Sequence, residues 1–216
     1  MNKIILMNGP QLCGKNIAVD YLKQFYNLVD RRCKDKLFEL IPIIFNIPSE
    51  RFWEIYNDRD LKEEPLPDFK VTYEAASALM KVTGEQYIML DKSYEHCDLS
   101  IRQAMIYVSE VLCKPTFGQD YFGKTRADSI LPNEISIDDS CGFPDEIEPT
   151  IAKLGQENVL LIRIKGRGSF KGDSRVYIPD GVVDNTIDIW NNGSVTEREY
   201  LNLVALQVKI FLEGKI

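Results

Sequence analysis

The feature that most constrains this chain is the run Gly9-Pro10-Gln11-Leu12-Cys13-Gly14-Lys15-Asn16. Its spacing is G-x-x-x-x-G-K, the pattern of a loop that cradles phosphate. The apolar segment Lys3-Ile4-Ile5-Leu6-Met7 precedes it and reads as a buried parallel strand. After it, Ile17, Ala18, Tyr21, Leu22 and Phe25 recur at helical spacing, which predicts a helix over 15–29. Strand, glycine loop and helix in that order aim several backbone N–H groups, and the positive end of a helix dipole, at one point. Gly9, Gln11, Leu12, Cys13, Gly14, Lys15 and Asn16 are therefore the candidate phosphate-binding residues, with Lys15 reaching the outer phosphates of a nucleotide. Asn16 stands where a hydroxyl residue ordinarily ligates Mg2+. Its amide can instead meet a metal-bound water or donate to a phosphate oxygen, so it is also a candidate substrate contact.

Beyond this opening, strands are expected at 135–138, 158–164 and 186–190. Helices are expected at 33–45, kinked or broken by Pro42, at 73–90, at 99–113 with Pro115 as its stop, and at 121–130. A final helix through Phe211 opens on Ser194-Val195-Thr196-Glu197, which has capping-box spacing. Residues 50–70, charged and punctuated by proline, read as a mobile loop or short helices. Gly166 to Asp173, with Lys165, Arg167 and Lys171, reads as a mobile basic segment. The alternation of buried strands with helices argues an α/β fold with a parallel sheet. A length of 216 residues suits a single domain over 1–216, with a helical region at 31–130 and a lid-like segment at 163–178.

Composition excludes several classes. The net charge is −7, so no overall basic surface is present for a nucleic-acid backbone. No apolar run approaches the ~20 residues of a membrane span, and the start does not read as a signal peptide, so the expected compartment is cytoplasmic. Cys13, Cys33, Cys97, Cys113 and Cys141 are scattered, without a C-x-x-C pair, and predict free thiols rather than a disulfide framework or a zinc site. His96 lies in a polar stretch and reads as a surface or helix-end residue.

A nucleotide enzyme built on such a loop needs a carboxylate at the end of a neighbouring strand for the magnesium shell. Ile135-Ser136-Ile137-Asp138-Asp139 offers two, either of which could equally cap a helix. Asp139, nearer the strand's end, is the choice, acting on the metal through water. Arg163, Lys165, Arg167 and Arg175 surround the glycine-rich segment and could neutralise charge on a transferring phosphoryl group, with Arg167 and Arg175 closing over it.

Several blocks in order resemble the deoxynucleoside monophosphate kinases of bacteriophages, a branch of the P-loop kinases. They are the glycine loop, Asp58-Arg59 with Lys62-Glu63, Leu99-Ser100-Ile101-Arg102, Asp139-Ser140-Cys141-Gly142-Phe143-Pro144-Asp145-Glu146, and Asn191-Asn192-Gly193-Ser194. The resemblance implies a P-loop kinase-like three-layer α/β/α fold with a parallel sheet, a helical acceptor-binding region over 31–130 and a mobile lid over 163–178. It implies ATP with Mg2+ as donor, a (deoxy)nucleoside 5′-monophosphate as acceptor, and no nucleic-acid or membrane partner; a homodimer is compatible with it, as is the host cytoplasm if the chain is viral. It implies Asn191 beside the ATP and Arg59, Lys62, Arg102, Ser140 and Glu146 on the acceptor, with Arg102 on its phosphate. The chain departs from the family pattern at Asn16, where aspartate is frequent, at Gly142, where an arginine is expected, and at Ile106, where a glutamine is common. Other readings are a P-loop kinase acting on dephospho-coenzyme A or a nucleoside, and a degenerate, non-catalytic nucleotide-binding protein.

Overall fold

The computed structural model describes residues 2–84, 95–171 and 175–214. In chain order the elements are β1 (Lys3–Asn8), α1 (Lys15–Leu22), β2 (Leu28–Asp30), α2 (Asp35–Ile44), α3 (Ser49–Asn57), β3 (Leu66–Thr72), α4 (Tyr73–Thr83), β4 (His96–Leu99), α5 (Ile101–Ile106), α6 (Lys114–Phe117), α7 (Tyr121–Ser129), β5 (Ile135–Asp138), α8 (Glu148–Leu154), β6 (Val159–Lys165), β7 (Asn185–Trp190) and α9 (Glu197–Leu212). They fall into two units, Met1–Lys34 with Asp120–Ile216, and Asp35–Gln119.

The first unit is built on a five-stranded sheet in the order β2-β5-β1-β6-β7, with every pairing parallel. β1 is buried along its whole length, as its unbroken apolar run requires. Side chains alternate across a strand, so β1 feeds two cores. Ile5 and Met7 join Leu160 and Ile162 of β6, Ala18 and Leu22 of α1, and Tyr200, Val204 and Val208 of α9. Ile4 and Leu6 join Val159, Leu161, Ile147 and Ile178, with Ile151 and Leu154 of α8 packed against them. Helices thus cover both faces, and the chain is an α/β protein with a parallel sheet. From β1 the chain crosses to β2 on one side, and β6 and β7 later extend the sheet on the other. The carboxyl end of β1 is therefore a topological switch point, where open parallel sheets leave a crevice.

The second unit has no such sheet. β3 and β4 pair antiparallel, Leu66 opposite Leu99 and Thr72 opposite His96, with a register irregularity between. Phe38 of α2 meets Phe52, Trp53 and Tyr56 of α3 with ring centroids 4.8–5.7 Å apart.

Local expectations needed correction at several points. The helix over 15–29 ends at Leu22, and Leu28–Asp30 forms β2, which owes its pairing to β5 rather than to a pattern of its own. α2 runs on to Ile44 with Pro42 in its last turns. The 50–70 region holds α3 and most of β3. Pro115 does not stop the helix that starts at Ile101. The chain widens into a π-helical stretch over Tyr107–Cys113, passes through Pro115, and ends at Gly118. A π turn relieves the proline ring's clash with the preceding turn, which is why a break was not needed. α4 stops at Thr83 on a left-handed Gly84, and the remainder of the expected 73–90 helix lies outside the described residues. The final capping box is Thr196 with Glu199, two residues later than expected. Exposed His96 begins β4, and all five cysteines are free. No helix among the described residues is long and apolar enough to cross a membrane.

Candidate functional site

The β1–α1 loop occupies the switch point. Gly14 has φ 108°, a left-handed conformation that disfavours a side chain, and a Cβ there would meet the Asn191 amide at 2.7 Å. Exposed Leu12 also takes a positive φ, 61°, at a local cost of order 1 kcal/mol. The N–H groups of Gly14, Lys15, Asn16 and Ile17 donate to no acceptor among the described residues, as a helix start dictates.

Lys15 is folded into this loop. Its buried ammonium donates to Gly9 O (2.5 Å) and Pro10 O (2.6 Å) and lies 3.5 Å from Cys13 Sγ. Burial pushes its pKa below the ordinary lysine value, Cys13 opposes that shift, Arg175 adds to it, and Asp139 opposes it. Cys13, Arg175 and Asp139 each act electrostatically on the Lys15 ammonium.

Asn191, which the sequence blocks named, and Tyr200, which they did not, hold the loop from behind. Asn191 Nδ2 donates to Cys13 O (2.8 Å), and the Tyr200 hydroxyl on α9 donates to Gly14 O (3.1 Å). Asn191, expected beside ATP, is buried and spends its amide on the loop backbone. Asn16 is exposed at the start of α1, and Gln11 is exposed beside Pro10.

The two adjacent aspartates after β5 part company. Asp138 is fully buried in an ion pair with Arg126 Nη1 (2.6 Å). It also accepts from Ser140 N (2.7 Å), Ser140 Oγ (2.6 Å) and Cys33 N (3.4 Å). Arg126 further donates to Glu146 O (2.6 Å) and Thr150 Oγ1 (3.0 Å). Its only sequence cue was its place in a short, weakly patterned helix. Burial without these partners would cost several kcal/mol per charge. Asp139 turns the other way. Its Oδ1 is buried and accepts no hydrogen bond, with Lys34 Nζ 3.6 Å away in an ion pair. Ser140 faces Asp138 rather than outward, and Glu146 is buried in a 3-10 turn whose carbonyl Arg126 holds.

The basic residues of 163–178 also divide. Arg163 pairs with Asp188 (2.5 Å) and Asp180 (2.7 Å), and Lys165 with Asp188 (2.5 Å), so both belong to the β6–β7 edge. Arg167 is exposed. Gly168 packs directly on the Gln11 carbonyl. Residues 176–178 are tied down by Asn8 at the end of β1, whose amide donates to Cys141 O (3.1 Å) and Val176 O (3.0 Å) and accepts from Ile178 N (3.0 Å).

In the second unit, two of the sequence blocks meet. Arg102, at the capped start of α5, lies 3.2 Å from Glu63. Asp58 caps the turn at Asp60 and Leu61, and Lys62 Nζ lies 3.8 Å from the Tyr56 ring centroid. Arg59 is exposed beside them. A recess of about 510 Å3 lined by Lys23–Leu28 opens at the far end of α1 from the glycine loop and contributes nothing to this chemistry. No cluster of three or more His, Cys, Asp or Glu residues placed to hold a metal occurs among the described residues. No protein-family model matches the chain, and no curated protein matches it.

Proposed function

We propose that this chain is a phosphotransferase that moves the γ-phosphoryl group of ATP to a (deoxy)nucleoside 5′-monophosphate. The observation that carries this reading is the buried Lys15 ammonium, lodged in a glycine loop at the switch point with Arg175 and Asp139 in electrostatic reach. On this reading Lys15 exchanges the Gly9 and Pro10 carbonyls for the outer phosphates, and the N–H groups at the start of α1 take the remaining oxygens. Transfer then depends on positioning and charge rather than on a base, because a monophosphate is already an anionic nucleophile at neutral pH. Arg102, with Lys62 and Arg59 as further candidates, anchors the acceptor phosphate, since a guanidinium can fork two of its oxygens.

The residues present fit a magnesium ion held mainly by nucleotide phosphates and water. Asp139 Oδ1, buried and without a hydrogen-bond donor, is an acceptor for such a shell. When bound, the ion neutralises and orients the phosphates.

The test is coupled ADP release with ATP, magnesium and each common ribo- and deoxyribonucleoside monophosphate in turn. Turnover with one or a few of them supports the reading. Release without any acceptor preference rejects it. A second reading, nucleotide binding without turnover, is favoured by Asn16, which offers the metal neither an anion nor a hydroxyl. ATP binding with no ADP release under any acceptor decides for that alternative.

A further inference from the structure

Two consecutive carbonyls of the glycine loop are held by side chains from a distant part of the chain. Asn191 Nδ2 donates to Cys13 O (2.8 Å), and the Tyr200 hydroxyl donates to Gly14 O (3.1 Å). Both holders are themselves fixed. Asn191 follows β7, is buried, and donates its own N–H to Lys165 O (2.7 Å). Tyr200 lies in the first turn of α9, which the Thr196–Glu199 capping box starts, and it is fully buried. The fit is close: a Cβ at Gly14 would lie 2.7 Å from Asn191 Nδ2 and 3.3 Å from the Tyr200 ring.

These two bonds fix more than the carbonyls. A peptide unit is planar, with its C=O and N–H pointing opposite ways. Cys13 O shares its plane with the N–H of Gly14, and Gly14 O shares its plane with the N–H of Lys15. Holding each oxygen therefore sets the direction of the next donor. Without the hold, rotation of either plane would exchange a donor for an acceptor, and an acceptor repels an anion. Glycine at 14 is the residue whose backbone resists such a rotation least.

We propose that Asn191 and Tyr200 are positioning residues for the phosphate chain of the donor: they aim the Gly14 and Lys15 N–H groups, and Asn191 reads neither the base nor the sugar. The proposal rests on the ATP reading above and deepens it. It revises the place that the resemblance gives Asn191, whose amide is spent on the loop backbone. The consequence for the ligand is chemical. Both residues act through the loop, so they serve any ligand that carries a triphosphate, whatever is attached to it.

The test is calorimetric titration of Mg·ATP, Mg·GTP and magnesium tripolyphosphate into wild type, Asn191→Ala and Tyr200→Phe, each checked for fold by its melting curve. Losing one hydrogen bond that orders the loop predicts binding about fivefold weaker in each variant. The loss should be the same for all three ligands, tripolyphosphate included, which a merely structural role in a folded variant would not produce. A loss confined to ATP, or an unchanged affinity in either folded variant, overturns the proposal. If Asn191→Ala does not fold, Tyr200→Phe decides, because it removes one oxygen and keeps the ring. If wild type binds none of the three ligands, the ATP reading itself fails and this inference falls with it. If wild type binds them and the variants do not respond as stated, this inference fails alone.

Discussion

In the unit formed by 1–34 and 120–216, order comes from the backbone. Five parallel strands share one ladder, and aliphatic side chains fill both faces. Its fully buried Arg126 is held by Asp138, Glu146 and Thr150. In the unit 35–119, order comes from side chains. Aromatic rings of α2 and α3 pack edge to face, and Phe45 packs on Phe69 of β3 at 5.4 Å. Lys114 is buried against Glu110 (2.6 Å), whereas the charges of the sequence blocks stay near the surface, Arg102 on Glu63 and Lys62 over Tyr56. The ladder fixes the loop that holds Lys15 between β1 and α1. The short helices of the other unit leave cations such as Arg102 partly exposed. The contrast teaches that equal-looking charges in the two units should respond very differently to removal.

The sharpest way to break this comparison is Arg126→Met. Leaving Asp138 buried and unpaired should cost about 3–5 kcal/mol. Denaturant unfolding would show it as a lowered midpoint with an unchanged slope. A loss under ~1 kcal/mol would mean that the buried pair does not organise the first unit.

Next is Lys15→Ala, which should keep the fold and lower kcat by about 10² to 10³, the cost of one preorganised charge at the transition state. Wild-type turnover by the folded variant would end the phosphate-loop reading.

In the second unit Arg102→Ala should be milder and selective. Its ion pair with Glu63 is worth under ~1 kcal/mol at such a surface. Stability should therefore barely move, while the acceptor KM rises about tenfold and that for ATP does not. Equal changes in both KM values, or none, would remove Arg102 from the acceptor site.

The smallest expected effect is a pH dependence. Hydrogen bonding from Arg31 holds the Glu134 carboxyl below its usual value, against burial, with Ser136 adding to the depression. Arg31 makes both bonds, at 2.8 and 2.7 Å. A depressed folded pKa contributes stability that is present above the unfolded value near ~4.3 and is lost as pH falls through the folded value. Glu134→Gln should thus be less stable than wild type at neutral pH by on the order of 1 kcal/mol. That gap should close in acid. Melting curves that stay equally separated down to strong acid would show that the pair does not act through its charge.

Much of the first unit was legible because its signals are local. A strand buried on both faces must be apolar throughout, and a glycine loop has a recognisable spacing, so β1, β5, β6 and the 9–16 loop could be read directly. The second unit was harder. β3 contains Pro67, Asp68 and Lys70, and β4 is His96-Cys97-Asp98-Leu99. Neither carries a clear alternation, and each is a strand because of the other. Pro115 read as a stop because the proline rule assumes an α-helical ladder, whereas the π turn before it changes that ladder.

By itself, the sequence determined the α/β class, the parallel character of the main sheet, and the position of Lys15 in a glycine loop between strand and helix. These depend on residue types at short, fixed spacings, where sterics and backbone hydrogen bonding leave few choices. Only the tertiary structure decided that Asp138 turns inward to Arg126 while Asp139 turns toward Lys34. Neighbouring residues at a strand end face opposite ways, and nothing local says which has a partner. The same holds for Asn191 and Tyr200 behind the loop. Each joins segments far apart in the chain, and such contacts leave no period in the sequence; they exist because burial of polar groups is tolerated only where a distant donor or acceptor has been brought within reach.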